Sequence, residues 1–245
     1  MQKKVQFTGI VLRNLDYLDS AQIIYVLTKD NIESILVRGA KKIESKTRPL
    51  SQIITKISGL RTESKTFSTL TEGVVLNNYN EIKEDFIKTQ AVMCILEKVY
   101  NLYPNISNTE ILYNFLEDVL GMIEKTKYPK SLLLLFEVKL WYLLGINPNF
   151  TSCVECGNHL ENGVLNVNCG GFLCQNCSTL FDVDLNVNES TILKYLYYIK
   201  MEKIDEHFLE LVEPFYNQIT HIVDKYYTKH LDFYNKSKEV FYKVI

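Results

Sequence analysis

The sequence predicts an α+β multi-domain chain: an N-terminal β-barrel, then an α-helical domain carrying an inserted four-cysteine module. Three observations lead there. Short runs rich in Val, Ile, Leu and Thr crowd the first 76 residues. From about residue 81 the apolar residues change to a helical period. Two Cys-x-x-Cys pairs then interrupt the helical part. The expected bounds are 1–80 for the barrel and 81–245 for the helical domain, with the cysteine module at 150–180.

Five strands are expected, at residues 5–13, 22–28, 32–38, 51–60 and 67–76. Polar breaks such as Lys29-Asp30-Asn31 and residues 61–65 separate them. Five strands in about 75 residues is the size of an OB-fold, a small barrel used for binding oligonucleotides. The count fits an SH3-like barrel equally, and the pattern does not separate the two.

The first helix is expected over residues 86–103. In the second, Ile111, Leu112, Phe115, Leu116, Val119, Leu120 and Ile123 recur at three- and four-residue steps, and Asn108 precedes them as an N-terminal cap. Tyr128-Pro129 opens a third helix, apolar on all sides, which Gly145 and Pro148 terminate. After the cysteine insert, two or more helices are expected, roughly over 189–201 and 205–230. The most apolar stretch, 131–144, is too short to span a bilayer and contains Glu137 and Lys139. Behind Lys3 and Lys4 a secretory apolar segment would be interrupted at Gln6, Arg13, Asn14 and Asp16. A cytoplasmic address with no membrane partner is therefore expected. There the six cysteines serve as metal ligands or free thiols rather than disulfides.

Cys153-x-x-Cys156 and Cys174-x-x-Cys177 are separated by seventeen residues. Each pair forms a tight turn that presents two sulfurs, and two such turns complete a tetrahedral thiolate cage for one structural Zn²⁺. Four thiolates leave no open coordination position for catalysis. Gly157 follows the first pair and Gly170-Gly171 lead into the second. Cys169 is either an alternative ligand or a spare thiol. Cys94 reads as core, and His159 as a polar loop residue.

Net charge is −2, but residues 1–80 hold twelve Lys/Arg against seven Asp/Glu, a surplus of five that leaves −7 for the rest. Within residues 38–48, Arg38, Lys41, Lys42, Lys46 and Arg48 face Glu44 alone. On a barrel rim such a cluster neutralises phosphates without reading sequence; a solubilising loop is the alternative. Arg13 belongs to the same expected DNA surface, with Lys3, Lys4, Lys56, Arg61 and Lys65 extending it. Catalytic signatures are thin. Gly59-x₄-Ser64-Lys65-Thr66 lacks the second glycine and the strand–loop–helix order of a phosphate-binding loop, and reads as a hairpin turn. The four histidines have no metal spacing with carboxylates, so no catalytic residue is expected and the chain reads as a non-enzyme.

Several stretches together resemble the RecO family of bacterial recombination and repair mediators. Thr8-Gly9-Ile10-Val11-Leu12-Arg13, residues 24–28 and Arg38-Gly39-Ala40-Lys41-Lys42 with Ser45 look like the start of its OB-fold domain. Phe136-Glu137-Val138-Lys139-Leu140 and Leu144-Gly145-Ile146-Asn147-Pro148 resemble its helix leading to the zinc module. Cys153-Val154-Glu155-Cys156-Gly157 and Gly170-Gly171-Phe172-Leu173-Cys174-Gln175-Asn176-Cys177 match that module, and residues 227–237 match the closing pattern. Asp19 stands where the family usually has glutamate, and Asn31 where a turn glycine is common. The resemblance implies binding of single- and double-stranded DNA and annealing of complementary strands. It also implies engagement of the acidic tail of single-stranded DNA-binding protein, and cooperation with RecR in loading RecA. A protein-interaction adaptor without direct DNA binding is the alternative.

Overall fold

The computed structural model describes residues 3–63 and 68–243. Lys65, the rest of the Ser64-Lys65-Thr66 triplet and Phe67 lie outside the described residues. The chain divides into two compact units between Lys125 and Thr126.

In the first unit, β1 (Lys4–Tyr17), β2 (Ala21–Leu27), β3 (Ile32–Val37), β4 (Thr55–Thr62) and β5 (Ser68–Asn77) close a barrel in the order β1-β2-β3-β5-β4. The long β1 makes closure possible. Its first half pairs with β4, from Lys4↔Thr62 to Val11↔Thr55, and its second half with β2, from Ile10↔Leu27 to Tyr17↔Ala21. The register shift between Val11 and Arg13 lets the strand bend from one partner to the other. A short parallel pairing of β3 with β5, Ile35↔Ser68 and Leu36↔Thr69, completes the ring. This five-stranded arrangement is that of the OB-fold, which decides between the two barrels the strand count allowed.

Phe7, Val11, Ile24, Val26, Ile35, Val37 and Ile57 fill the interior, and Ala40 and Leu50 join them from the β3–β4 connection. Gly9 is dictated by close approach: a Cβ there would lie 2.4 Å from Val26 Cγ1 and 2.5 Å from the Leu27 carbonyl oxygen.

Three helices follow in the same unit: α1 (Asn80–Glu84), α2 (Phe86–Leu102) and α3 (Thr109–Lys125). The Asp85 carboxylate accepts from the Lys88 N–H at 2.9 Å, and Asn108 Oδ1 from the Ile111 N–H at 3.0 Å, so both longer helices have side-chain caps. By hydrophobic period these helices belong to the helical part, and by packing to the barrel.

In the second unit, α4 (Pro129–Leu144) is the centre, with thirteen of its sixteen residues buried. Gly145, at φ 69°, ends it by donating to the Tyr142 carbonyl. Around it lie α5 (Val187–Tyr198), α6 (Glu206–Val212), α7 (Tyr216–Leu231) and α8 (Lys236–Tyr242). The single helix expected over 205–230 is broken into α6 and α7. Pro214 lacks the N–H that an uninterrupted helix needs there, and a 3-10 turn, Glu213–Phe215, takes its place. α8 lies beyond the ranges that the sequence predicts.

α8 is held by a buried cation. Lys238 Nζ lies 2.7 Å from Glu137 Oε2 of α4 and 2.7 Å from Asp224 Oδ1 of α7. Burial alone would lower the ammonium's pKa; the two carboxylates outweigh it and hold it well above the ordinary lysine value. Removing one member of such a set strands a buried charge. Lys238→Ala is therefore expected to cost about 3–5 kcal/mol of stability, measurable by urea unfolding. A loss below about 1 kcal/mol, the size of a surface pair, would contradict this.

Candidate metal centre and nucleic-acid interface

The cysteine module spans the connection from α4 to α5. Its frame is a two-stranded sheet, β6 (Val164–Asn166) and β7 (Gly171–Leu173), onto which residues 149–154 add. Phe172 N donates to the Asn149 carbonyl at 2.8 Å, and Val154 N to the Phe172 carbonyl at 2.9 Å. Gly171 permits that approach, because a Cβ would lie 2.6 Å from the Asn149 carbonyl oxygen. Phe150 and Phe172, both buried, stack edge to face at 4.9 Å and are the small apolar floor of the module.

This frame brings Cys153, Cys156, Cys174 and Cys177 together, all four sulfurs lying within 4.8 Å of one another. Gly157, at φ 76°, donates to the Cys153 carbonyl at 2.9 Å and closes the first Cys-x-x-Cys turn. In the second, Cys177 N points at Cys174 Sγ and Ser178 N at the Cys174 carbonyl. Cys174 N points at Cys153 Sγ, 3.4 Å away, and so links the two turns. Cys169 stands outside the cluster, with its N–H on Asn166 Oδ1. Cys94 is buried in α2, and His159 is exposed.

The donor set fits a metal ion. A tetrahedral ion with metal–sulfur bonds of about 2.3 Å places its sulfurs about 3.8 Å apart, and Cys156 Sγ and Cys174 Sγ are 3.9 Å apart. Burial works to raise the Cys153 thiol, yet the N–H groups of Cys156, Cys174 and Glu155 outweigh it and bring it down to about 6. Hydrogen bonding to Cys174, then burial, pushes Cys177 up to about 12. Sulfurs this close share their protons and resist carrying several negative charges at once. Four neighbouring thiolates need a cation between them, and binding it releases the remaining protons. Four protein sulfurs would fill a tetrahedral ion's coordination and leave no position open.

The basic segment is the connection from β3 to β4. It is ordered by successive turns: Lys42 N donates to the Gly39 carbonyl, Ser45 N to that of Lys42 and Arg48 N to that of Ser45, each at 3.1 Å. Gly39, at φ 73°, makes the first turn, and a Cβ there would lie 3.3 Å from Ser45 Oγ. Ala40 and Leu50 anchor the two ends in the barrel core. Arg38, Lys41, Lys42, Lys46 and Arg48 are all exposed. Lys41 pairs with Asp16 at 2.9 Å, and hydrogen bonds from Lys41 and Gln22 hold that carboxyl below its usual range. Among the described residues the other four have no acidic partner.

The expected extensions of this surface are differently placed. Lys3 lies 4.0 Å from Glu63, Lys4 3.2 Å from Glu72, Lys56 pairs with Glu117 and Arg61 with Glu33. Each carries a local countercharge, unlike Arg38, Lys42, Lys46 and Arg48 of the loop. Arg13 is exposed, but its guanidinium lies 5.4 Å from the centre of the Tyr100 ring of α2. Tyr100 also meets Tyr25 of β2, edge to face at 5.1 Å. Sequence reasoning missed this stack; 87 positions separate Arg13 from Tyr100, and no local pattern links them.

The second unit carries one further concavity of note, a groove of about 520 Å³ between α5 and α6 lined by Ile192, Tyr195, Ile199, Phe208 and Leu211 and by the polar Lys203, Asp205 and His207. Among the described residues no helix is long and apolar enough to cross a membrane.

The metal centre yields a direct check. Cys174→Ser is expected to lose the bound ion and lower the melting temperature, whereas Cys169→Ser keeps one ion per chain, both followed by elemental analysis and thermal unfolding. Undiminished metal in Cys174→Ser, or its loss in Cys169→Ser, would contradict the assigned ligand set.

Two family models match the chain in order: the N-terminal domain of recombination protein O over residues 1–79, and its C-terminal domain over residues 83–239. Among curated proteins, the DNA repair protein RecO of Bacillus pumilus is 24% identical over 238 residues, covering 96% of this chain and 92% of the relative. That of Bacillus cytotoxicus is 26% identical over 241 residues, covering 97% and 96%. An OB-type barrel followed by helices around a four-cysteine cluster accompanies that match over nearly the whole chain, and the chain belongs to the recombination protein O family.

Proposed function

We propose that this chain is a DNA repair and homologous recombination mediator. It binds single- and double-stranded DNA through the barrel, anneals complementary strands, and with RecR helps load RecA onto DNA coated with single-stranded DNA-binding protein. The observation that carries the reading is the ordered match of both family models across the chain. The uncompensated cations of the β3–β4 connection supply the matching chemistry. Lysine and arginine side chains that neutralise phosphates release counterions, giving affinity that is indifferent to sequence and falls with salt.

The remaining parts have separate roles. The ion held by Cys153, Cys156, Cys174 and Cys177 is one structural Zn²⁺, for which an all-thiolate tetrahedral set is suited; iron shares this preference, and elemental analysis separates them. The acidic tail of single-stranded DNA-binding protein docks in the α5–α6 groove, its apolar side chains on Phe208 and Leu211 and its carboxylates towards Lys203 and His207. The chain works as a non-enzyme in the bacterial cytoplasm, on the nucleoid, and its annealing needs no ATP.

A strand-annealing assay on DNA coated with single-stranded DNA-binding protein, with and without RecR, tests the whole reading: annealing by the chain supports it, and none under either condition overturns it. For the DNA surface, charge reversal at Arg38, Lys41 and Lys42 is expected to weaken binding across all sequences. It should also reduce the slope of log affinity against log salt by roughly one for each phosphate that is no longer neutralised. Unchanged affinity and slope in the triple variant would exclude this loop.

A further inference from the structure

The end of the barrel that carries the cations also carries two bare aliphatic side chains. Leu18 is 76% exposed and Ile43 82% exposed, two of the three most exposed large apolar residues among those described. Single surface aliphatics are ordinary and by themselves signify nothing. Three further features set this pair apart.

Leu18 occupies the turn between β1 and β2 at φ 54°, the left-handed region. Glycine or asparagine takes that conformation at little cost; leucine does so against its own sterics. The turn therefore gives up stability to present an apolar tip to water. Secondly, Ile43 lies in the middle of the Lys42–Ser45 turn, flanked by Arg38, Lys41, Lys42, Lys46 and Arg48 against Glu44 alone. Thirdly, the two turns are tied together. Lys41 N donates to the Ser20 carbonyl at 3.1 Å, and Lys41 Nζ pairs with Asp16 at 2.9 Å. The cations, Leu18 and Ile43 thus share one rim of the barrel.

We propose that Leu18 and Ile43 form an apolar wedge that enters the base stack at a junction between single- and double-stranded DNA, while the surrounding cations grip the phosphates. The proposal rests on the DNA-binding reading above and deepens it. Aliphatic wedges enter duplexes between base steps, partly unstacking them, when neighbouring side chains hold the backbone. A junction is where this costs least, because the last pair has already lost stacking on one side. An annealing protein meets that structure at every advancing end of a new duplex. A rim of lysines with protruding aliphatics also suits an anionic membrane surface, but the OB-type barrel beneath it favours nucleic acid.

The test uses the full chain and a forked DNA with 2-aminopurine at the junction, whose fluorescence rises on unstacking. The wild-type chain is expected to raise it. Leu18→Ala/Ile43→Ala should bind the fork with nearly unchanged affinity, since phosphate contacts carry the affinity, yet lose the rise. Leu18→Gly is the control for folding: it relieves the left-handed strain, so it should melt at a higher temperature and still unstack less than the wild type. Binding by the wild type with no rise in fluorescence, or an undiminished rise in the double variant, overturns the wedge and leaves the DNA reading standing. Absence of any binding by the wild type overturns both. If phosphatidylserine vesicles bind the wild type but not the double variant, while the fluorescence is the same for both, the tips face a membrane and the proposal fails.

Discussion

The barrel depends on one short contact, the parallel pairing of Ile35 with Ser68 and Leu36 with Thr69. Every other strand pair in it is antiparallel. Parallel neighbours cannot be joined by a tight hairpin, so a long connection has to intervene. β5 stands between β3 and β4 in the ring, so from Val37 the chain travels through residues 38–54 to pass that place before β4 begins at Thr55. That excursion is the segment in which Arg38, Lys41, Lys42, Lys46 and Arg48 stand. Topology creates the connection; Gly39, Ala40 and Leu50 hold it against the barrel end, and its composition makes it an anion-seeking surface.

The second unit faces a different constraint. α4 is a complete core element, whereas the segment between α4 and α5 buries only a few apolar side chains, Phe150, Leu165, Val167, Phe172, Leu173 and Leu185. Hydrogen bonds attach it to its surroundings: Leu165 N to Ser190 Oγ at 2.9 Å, Val167 N to Asp184 Oδ2 at 2.7 Å, and His230 Nε2 against the Val167 carbonyl oxygen at 3.1 Å. An ion chelated by the four clustered sulfurs would add cohesion to so small a core. Under the proposed function, metal and charge divide their tasks, the first bracing the fold of the second unit and the second meeting DNA on the first.

Much of this was legible in the sequence, and where it was not the reason is physical. The Asn108 cap, the Gly145 stop and the two Cys-x-x-Cys turns are local, set by residues within a few positions of one another, and each forms where its pattern stands. Charge compensation is not local. Lys56 meets Glu117 and Arg61 meets Glu33, so a count of basic residues overstated the free positive surface. Arg13 was assigned to DNA on its charge, and its nearest aromatic partner comes from α2. Pro214 was visible as a residue, but the strong apolar period on both sides of it concealed the break between α6 and α7. α8 was hidden because its anchor is a lysine. Lys238 looks solvent-facing in any pattern, and only the fold supplies the carboxylates of Glu137 and Asp224 that make it a core residue.

The division of labour between ion and barrel is the central claim, and removing the ion tests it most directly. The full chain is stripped with a chelator, and amide hydrogen exchange and affinity for single-stranded DNA are measured on the same sample. Protection is expected to fall first in residues 149–185 while the barrel strands stay protected, and DNA affinity should persist. Intact protection throughout the chain together with abolished DNA binding would contradict the account.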